Sequence, residues 1–158
     1  MKFDVAIIGA GITGSSIAFE LSKYKLDVVL IEKENDVSLC TTKANSGIVH
    51  AGYDPKPGTK MAELNVYGSK HYKKLAKDLN FHYKQIGSLV IGRDEDKALI
   101  EELYKRGIAN GVEELSILNK EEIHELEPSL ASDISVALLA KTAAIVSPWE
   151  VCIAMAET

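Results

Sequence analysis

Gly9, Gly11 and Gly14, with an acid at Glu32 and a histidine at His50, are the residues of this chain whose types and spacing could do chemistry. Gly9-Ala10-Gly11-Ile12-Thr13-Gly14 has the spacing of a backbone loop that cradles a diphosphate at the start of a helix. Gly9 permits the tight turn. Gly11 brings the backbone up to a pyrophosphate without an intervening Cβ, and Gly14 packs the helix closely on the preceding strand. The helix N-terminus supplies free N–H groups and positive dipole to the diphosphate. Glu32 lies 18 residues after Gly14, near the spacing of about 20 at which an acid accepts ribose hydroxyls. A 2′-phosphate there would be repelled, which argues against NADP.

The glycines leave FAD and NAD open. Thr41, Thr42, Asn45, Ser46 and Gly47 offer hydroxyls, an amide and backbone donors in one short run that could follow a second phosphate and a flavin ring. A merely solvated polar loop is the alternative for the same residues. His50 follows at once, and imidazole is the side chain that exchanges a proton near neutral pH. It could take a hydroxyl proton as a hydride leaves the carbon, or be simply structural. His71, His82 and His124 show no pairing, and neither a Ser/His/Asp constellation nor an HExxH motif is present. Cys40 and Cys152 form no CxxC and have no ligand-spaced histidine, so no metal motif is read.

The elements that must hold these residues follow from periodicity. Val5–Ile8 is a continuous apolar run, the pattern of a strand covered on both faces. Ile17, Leu21 and Tyr24 recur at helical spacing, and Val28–Ile31 is a second strand ending at Glu32. That is one parallel crossover in about thirty residues. A polar loop, the short apolar Ile48-Val49 and a Pro/Gly turn at 54–58 come next. A long helix is predicted over Lys60–Leu79, strands over 82–85 and 88–92, and a helix capped by Asp94. A strand over 115–118, a helix opened by Asn119 and Glu122, and a strand over 135–140 follow. Ser147-Pro148-Trp149-Glu150 announces a last helix. Thr158 arrives about two turns later with no closing Gly, Asn or basic residue, so the chain reads as one cut inside a helix.

Composition narrows the partners. The chain has 158 residues, 46% hydrophobic and 26% charged, enough for a core without staples. Eighteen Lys plus Arg against 23 Asp plus Glu give a net charge of −5, which argues against nucleic acid held by bulk electrostatics. Two isolated cysteines and no signal peptide or spanning apolar stretch suit a reduced, cytoplasmic setting.

Gly9–Gly14, Glu32-Lys33 and Thr42-Lys-Ala-Asn-Ser-Gly-Ile-Val-His-Ala-Gly52 together resemble the amino-terminal part of the D-amino-acid-oxidase-like FAD-dependent oxidoreductases. Within them the chain is most similar to the branch of FAD-dependent glycerol-3-phosphate dehydrogenase and L-2-hydroxyglutarate oxidase. Asn45-Ser46-Gly47-x-x-His50-Ala51-Gly52 is the specific part, supported by Glu125-Leu-Glu-Pro-x-Leu130 and Pro148-Trp149-Glu150.

The resemblance implies an α/β fold: a Rossmann-like FAD-binding βαβ unit with part of a mixed-sheet substrate domain, as an N-terminal fragment. It places the amino-terminal part of the FAD-binding domain at 1–80, part of the substrate domain at 81–146, and the start of a returning helix at 147–158. It implies that residues 9–14 and Glu32 hold the ADP half, and that Lys33, Thr41 and Thr42 line ribose and diphosphate. Asn45 to Gly47 and His50 approach the flavin. The implied reaction is hydride transfer from a small anionic hydroxy substrate to FAD, with sn-glycerol 3-phosphate first and L-2-hydroxyglutarate as the alternative. A non-catalytic, truncated FAD-binding module is the competing reading, and a plain NAD-dependent dehydrogenase the third. Peripheral membrane contact and homo-oligomers are compatible with the resemblance. No substrate-binding arginine can be assigned between Arg93 and Arg106.

Overall fold

A computed structural model describes residues 2–158. In chain order the elements are β1 (Val5–Ile8), α1 (Ile12–Leu21), β2 (Val28–Ile31), β3 (Ile48–Val49), α2 (Lys60–Leu79), β4 (Tyr83–Gln85), β5 (Ser88–Gly92), α3 (Lys97–Asn110), β6 (Leu115–Asn119), α4 (Lys120–Leu126), β7 (Val136–Ala140), β8 (Ala144–Val146) and α5 (Pro148–Ala156). The chain forms two compact units. One comprises the residues up to Gly47 with 73–83 and 146–158; the other comprises 48–72 and 84–145.

The first unit is built on the predicted crossover. β1 and β2 pair in parallel, Val5 beside Val28 and Ile8 beside Ile31. α1 lies between them in sequence and packs against α5. Both helices are short of charge on the packed side: Gly14 and Ser15 from α1 and Val151, Cys152 and Met155 from α5 are buried. Ser147 caps α5 as its sequence predicts, accepting the Glu150 amide at 3.4 Å, and Pro148 takes the first helical position, where no N–H is missed. The Glu150 carboxylate does not turn back onto the cap. It accepts the His82 amide at 3.0 Å and meets the His82 ring at 2.8 Å.

The second unit holds two three-stranded sheets, in the orders β3-β8-β4 and β5-β7-β6. In the latter both pairs are antiparallel with β7 central, so Val136 stands between Gly92 and Asn119. The alternation of a strand splits β7 between two layers. Val136, Leu138 and Ala140 face a core shared with Ala51, Val66, Ile100, Leu103 and Leu115. Ala137 faces Leu118, Ile123 and Ile134, with Leu139 packed beside them. Cover on both faces is what makes Val-Ala-Leu-Leu-Ala a continuous apolar run. Complete burial of Ile100, Ile123 and Leu138 contributes about 1.5–3 kcal/mol for each.

Three local expectations are corrected. α1 stops at Leu21, and Tyr24 stands exposed in the following turn, its amide bonded to Leu21 O. Asp94 does not cap α3; a single 3₁₀ turn, Asp94–Asp96, precedes that helix, and the Asp94 carboxylate accepts Ser135 Oγ at 2.8 Å. The strand predicted from His82 begins at Tyr83. The capping box of α4 is present, with Asn119 Oδ1 accepting Glu122 N at 3.0 Å and Glu122 Oε2 accepting Asn119 N at 2.8 Å.

Candidate functional site

The glycine loop turns at Gly9, whose φ of +97° is a conformation that side-chain-bearing residues rarely adopt. Gly11 has ordinary extended backbone, φ −76° and ψ 179°. The need for glycine there is therefore steric: a Cβ would stand 3.1 Å from Thr42 Oγ1. At Gly14 a Cβ would overlap the Gly9 carbonyl oxygen and lie 3.1 Å from its carbon. This is the close helix–strand approach that the spacing predicts.

Ile12 N donates to Thr42 Oγ1 at 2.9 Å, so the start of α1 is tied to a 3₁₀ turn over Thr41–Lys43. The first intrahelical bond runs from Ser15 N to Gly11 O. Among the described residues the amides of Gly11, Thr13 and Gly14 have no acceptor. Those free donors and the helix dipole favour an anion. They open on a groove of about 440 Å³ whose walls include Gly9, Gly11, Gly14, Thr41, Thr42 and Asn45, together with Ile12 and Thr13. Eight residues singled out from the sequence thus share one groove, floored in part by Ile7, Ile8 and Ile17.

The remaining candidates stand differently. Ala10 is buried, and its backbone is fully engaged: N donates to Glu32 Oε2 at 2.6 Å, and O accepts Ser38 N at 3.0 Å. Glu32 also accepts Lys33 N at 2.8 Å and Glu34 N at 3.1 Å, both on Oε1. The Ala10 amide foremost, then the Glu34 amide, hold its carboxyl below the ordinary glutamate value. Three of about four acceptor sites on the carboxylate are filled, which leaves room for a ribose hydroxyl. Lys33 is exposed and pairs with Glu34 at 3.4 Å. Asn45 folds back, its Nδ2 donating to Thr42 O at 2.7 Å and its Oδ1 accepting Gly47 N at 2.9 Å. Gly47 O accepts Val146 N at 2.9 Å, and a Cβ on Gly47 would lie 2.5 Å from Val146 O. Ser46 is exposed.

His50 belongs to the second unit. It lines a small pocket of about 140 Å³ with Gly52, Tyr53, Asp54 and Asn65. Among the described residues its ring has no hydrogen-bond partner. The loop that carries it is fastened from α3: Asn110 Nδ2 donates to Gly52 O at 2.9 Å and to Pro55 O at 2.8 Å, and Arg106 donates to Asp54 O at 2.7 Å. Sequence reading missed these anchors, and it missed Cys152, whose Sγ lies 3.4 Å from both Ser15 Oγ and Ala10 O behind the glycine loop.

Residues 4–158 match the DAO family, described as FAD dependent oxidoreductase. The chain belongs to that family. FAD is the family's cofactor, and the groove fits it: free amides lie at a helix start, the approach at Gly11 is bare of a Cβ, and an acid stands at the end of the second parallel strand. The glycerol 3-phosphate dehydrogenase of Caloramator mitchellensis is 54% identical over 156 residues, 98% of this chain and 32% of that relative. The mitochondrial L-2-hydroxyglutarate dehydrogenase of Dictyostelium discoideum is 38% identical over 130 residues, 80% of this chain and 29% of its own. Dithionite-reduced L-alpha-glycerophosphate oxidase from Mycoplasma pneumoniae with FAD bound superposes with a TM-score of 0.91 at 34% identity, covering 99% of this chain and 42% of that chain. The chain spans about a third of the length of the curated relatives it matches. No helix among the described residues is long and apolar enough to cross a membrane.

Proposed function

We propose that this chain is the FAD-binding portion of a cytoplasmic dehydrogenase that oxidises sn-glycerol 3-phosphate. The observation that carries the substrate is the 54% identity with a glycerol 3-phosphate dehydrogenase over nearly the whole chain. In this reading residues 1–80 are the amino-terminal part of the FAD-binding domain, 81–146 are part of the substrate domain, and 147–158 begin a helix that returns to the first. The free amides of residues 11, 13 and 14 hold the diphosphate, with Gly9, Ala10 and Ile12 shaping the loop. Glu32 and Lys33 take the ribose end. Thr41 and Thr42 follow the diphosphate, and Asn45, Ser46 and Gly47 approach the flavin.

The chemistry that bound FAD would supply is acceptance of a hydride from the substrate carbon. The chain's own part is to take the proton. His50 takes it from the hydroxyl on that carbon. The anchors from Asn110 and Arg106 fix the backbone of the loop that follows His50.

The test is anaerobic flavin reduction in the full-length protein, with sn-glycerol 3-phosphate and L-2-hydroxyglutarate supplied separately. Bleaching of the flavin bands by glycerol 3-phosphate at the lower concentration is expected. Reduction by the hydroxy diacid alone would move the protein to the other relatives' reaction. Failure to take up FAD would overturn the reading.

A further inference from the structure

We propose that Asn65 binds the primary hydroxyl of the substrate beside His50. This rests on the reading of the protein as a glycerol 3-phosphate dehydrogenase with His50 at the reacting carbon. Asn65, on α2, lines the His50 pocket. Its Oδ1 is buried and has no hydrogen-bond partner among the described residues. An amide oxygen shielded from water and left without a donor destabilises the free protein, and buried polar atoms are seldom left so. In the wall of a pocket, such an atom marks where a ligand's donor belongs.

The protein around Asn65 is not arranged to supply that donor. The two side-chain bonds that fasten the neighbouring loop run from Asn110 to Gly52 O and Pro55 O, and neither reaches Asn65. Gly52 presents bare backbone to Asn65, since a Cβ there would lie 2.5 Å from Val66 Cγ2 and 3.5 Å from Asn65 Oδ1.

The charge of the pocket selects the part of the substrate that enters. No Lys or Arg lines it, and Asp54 does. A phosphate or a carboxylate would meet a like charge at that wall. An uncharged CH₂OH group meets none. With the C2 hydroxyl at His50 and the phosphate outside, the C1 hydroxyl of glycerol 3-phosphate donates to Asn65 Oδ1. A 2-hydroxy acid, carrying a carboxylate in place of that CH₂OH, is disfavoured by the same wall.

The full-length, FAD-loaded enzyme is compared on sn-glycerol 3-phosphate and on 2-hydroxypropyl phosphate, which keeps the phosphate and the reacting hydroxyl but has a methyl in place of CH₂OH. The wild type is expected to prefer glycerol 3-phosphate by about tenfold in kcat/KM, the effect of one net hydrogen bond. Asn65→Leu removes that preference, lowers kcat/KM for glycerol 3-phosphate about tenfold and leaves the analogue within about twofold. Its melting temperature stays level or rises, because the unpaired buried oxygen is gone. Asn65→Ala also removes the acceptor, with a smaller change of shape, and is expected to lose the same preference; it decides the matter should the leucine variant fail to fold. An unchanged preference in Asn65→Leu, or equal losses on both substrates, overturns the role of Asn65 while leaving the reaction standing. A wild type that oxidises 2-hydroxyglutarate but not glycerol 3-phosphate overturns the reaction, and the role of Asn65 with it.

Discussion

The Ile12 amide donates to Thr42 Oγ1 at 2.9 Å, across thirty residues of sequence. The oxygen it uses is the one that a Cβ on Gly11 would crowd. The glycine loop and the Thr41–Lys43 turn are therefore a single hydrogen-bonded piece, and the spacing between the two walls of the groove is set by one threonine.

Thr42→Val keeps the branched shape and removes the acceptor. Losing that bond is expected to cost about 1 kcal/mol, or about a fivefold weaker FAD dissociation constant, while Thr42→Ser stays near wild type. Flavin fluorescence titration of the two variants measures this. Equal affinity in valine and wild type would mean that the link does not shape the groove.

Glu32 ties the loop to the end of β2 through its charge. Because its folded pKa is depressed, the stabilisation it lends is fully present above the ordinary glutamate value of 4.5 and is lost as pH falls through the lower folded value. FAD retention by the holoprotein should fall off below pH 4.5. Glu32→Gln should bind FAD more weakly at neutral pH, melt somewhat lower there, and show a smaller acid step. A pH series of flavin release with both proteins checks the sign.

Gly14→Ala should be the harshest small change in the loop. The added methyl overlaps the Gly9 carbonyl, so α1 must move away from β1. Overpacking of this kind costs about 1–3 kcal/mol, and FAD uptake should be lost with it. A variant that retains stoichiometric flavin and an unshifted melt would show that the loop has room to adapt.

His50→Asn should leave FAD content unchanged and lower kcat by about 10²–10⁴-fold, the range of a lost general base. Stopped-flow reduction at saturating substrate reads this step directly. A rate near that of wild type would assign the proton to another group.

Features written in neighbouring residues were legible in the sequence. The Asn119/Glu122 box and the Ser147 cap depend on groups three positions apart, and the β1–α1–β2 crossover on contiguous apolar runs around a glycine loop, so residue type and spacing suffice. Tyr24 misled because helical spacing continues past Leu21 although the chain has already turned. Asp94 misled because its carboxylate had a partner 41 residues away in Ser135, and tertiary hydrogen bonds outcompete local caps. Asn110 and Asn65 left no signal at all. Each is an ordinary helix residue whose importance arises from a loop over ten positions distant, and an amide carries no mark of what it will face. Cys152 read as a spare cysteine for the same reason.

The contact of Cys152 Sγ with Ala10 O spans 142 residues, and this bears on how the protein comes off the ribosome. At a synthesis rate of about 5–20 residues per second, roughly 7–30 s separate the emergence of the glycine loop from that of its backing helix. During that interval the parallel β1–α1–β2 crossover lacks its backing helix, while the intervening segment 48–145 can already bury its own apolar layers. Order of maturation is thus the reverse of order of translation for the dinucleotide loop. Arrested nascent chains ending before Val151 should leave the Gly9–Gly14 stretch open to protease, and chains extended past Met155 should protect it. Flavin loading then cannot precede the arrival of α5.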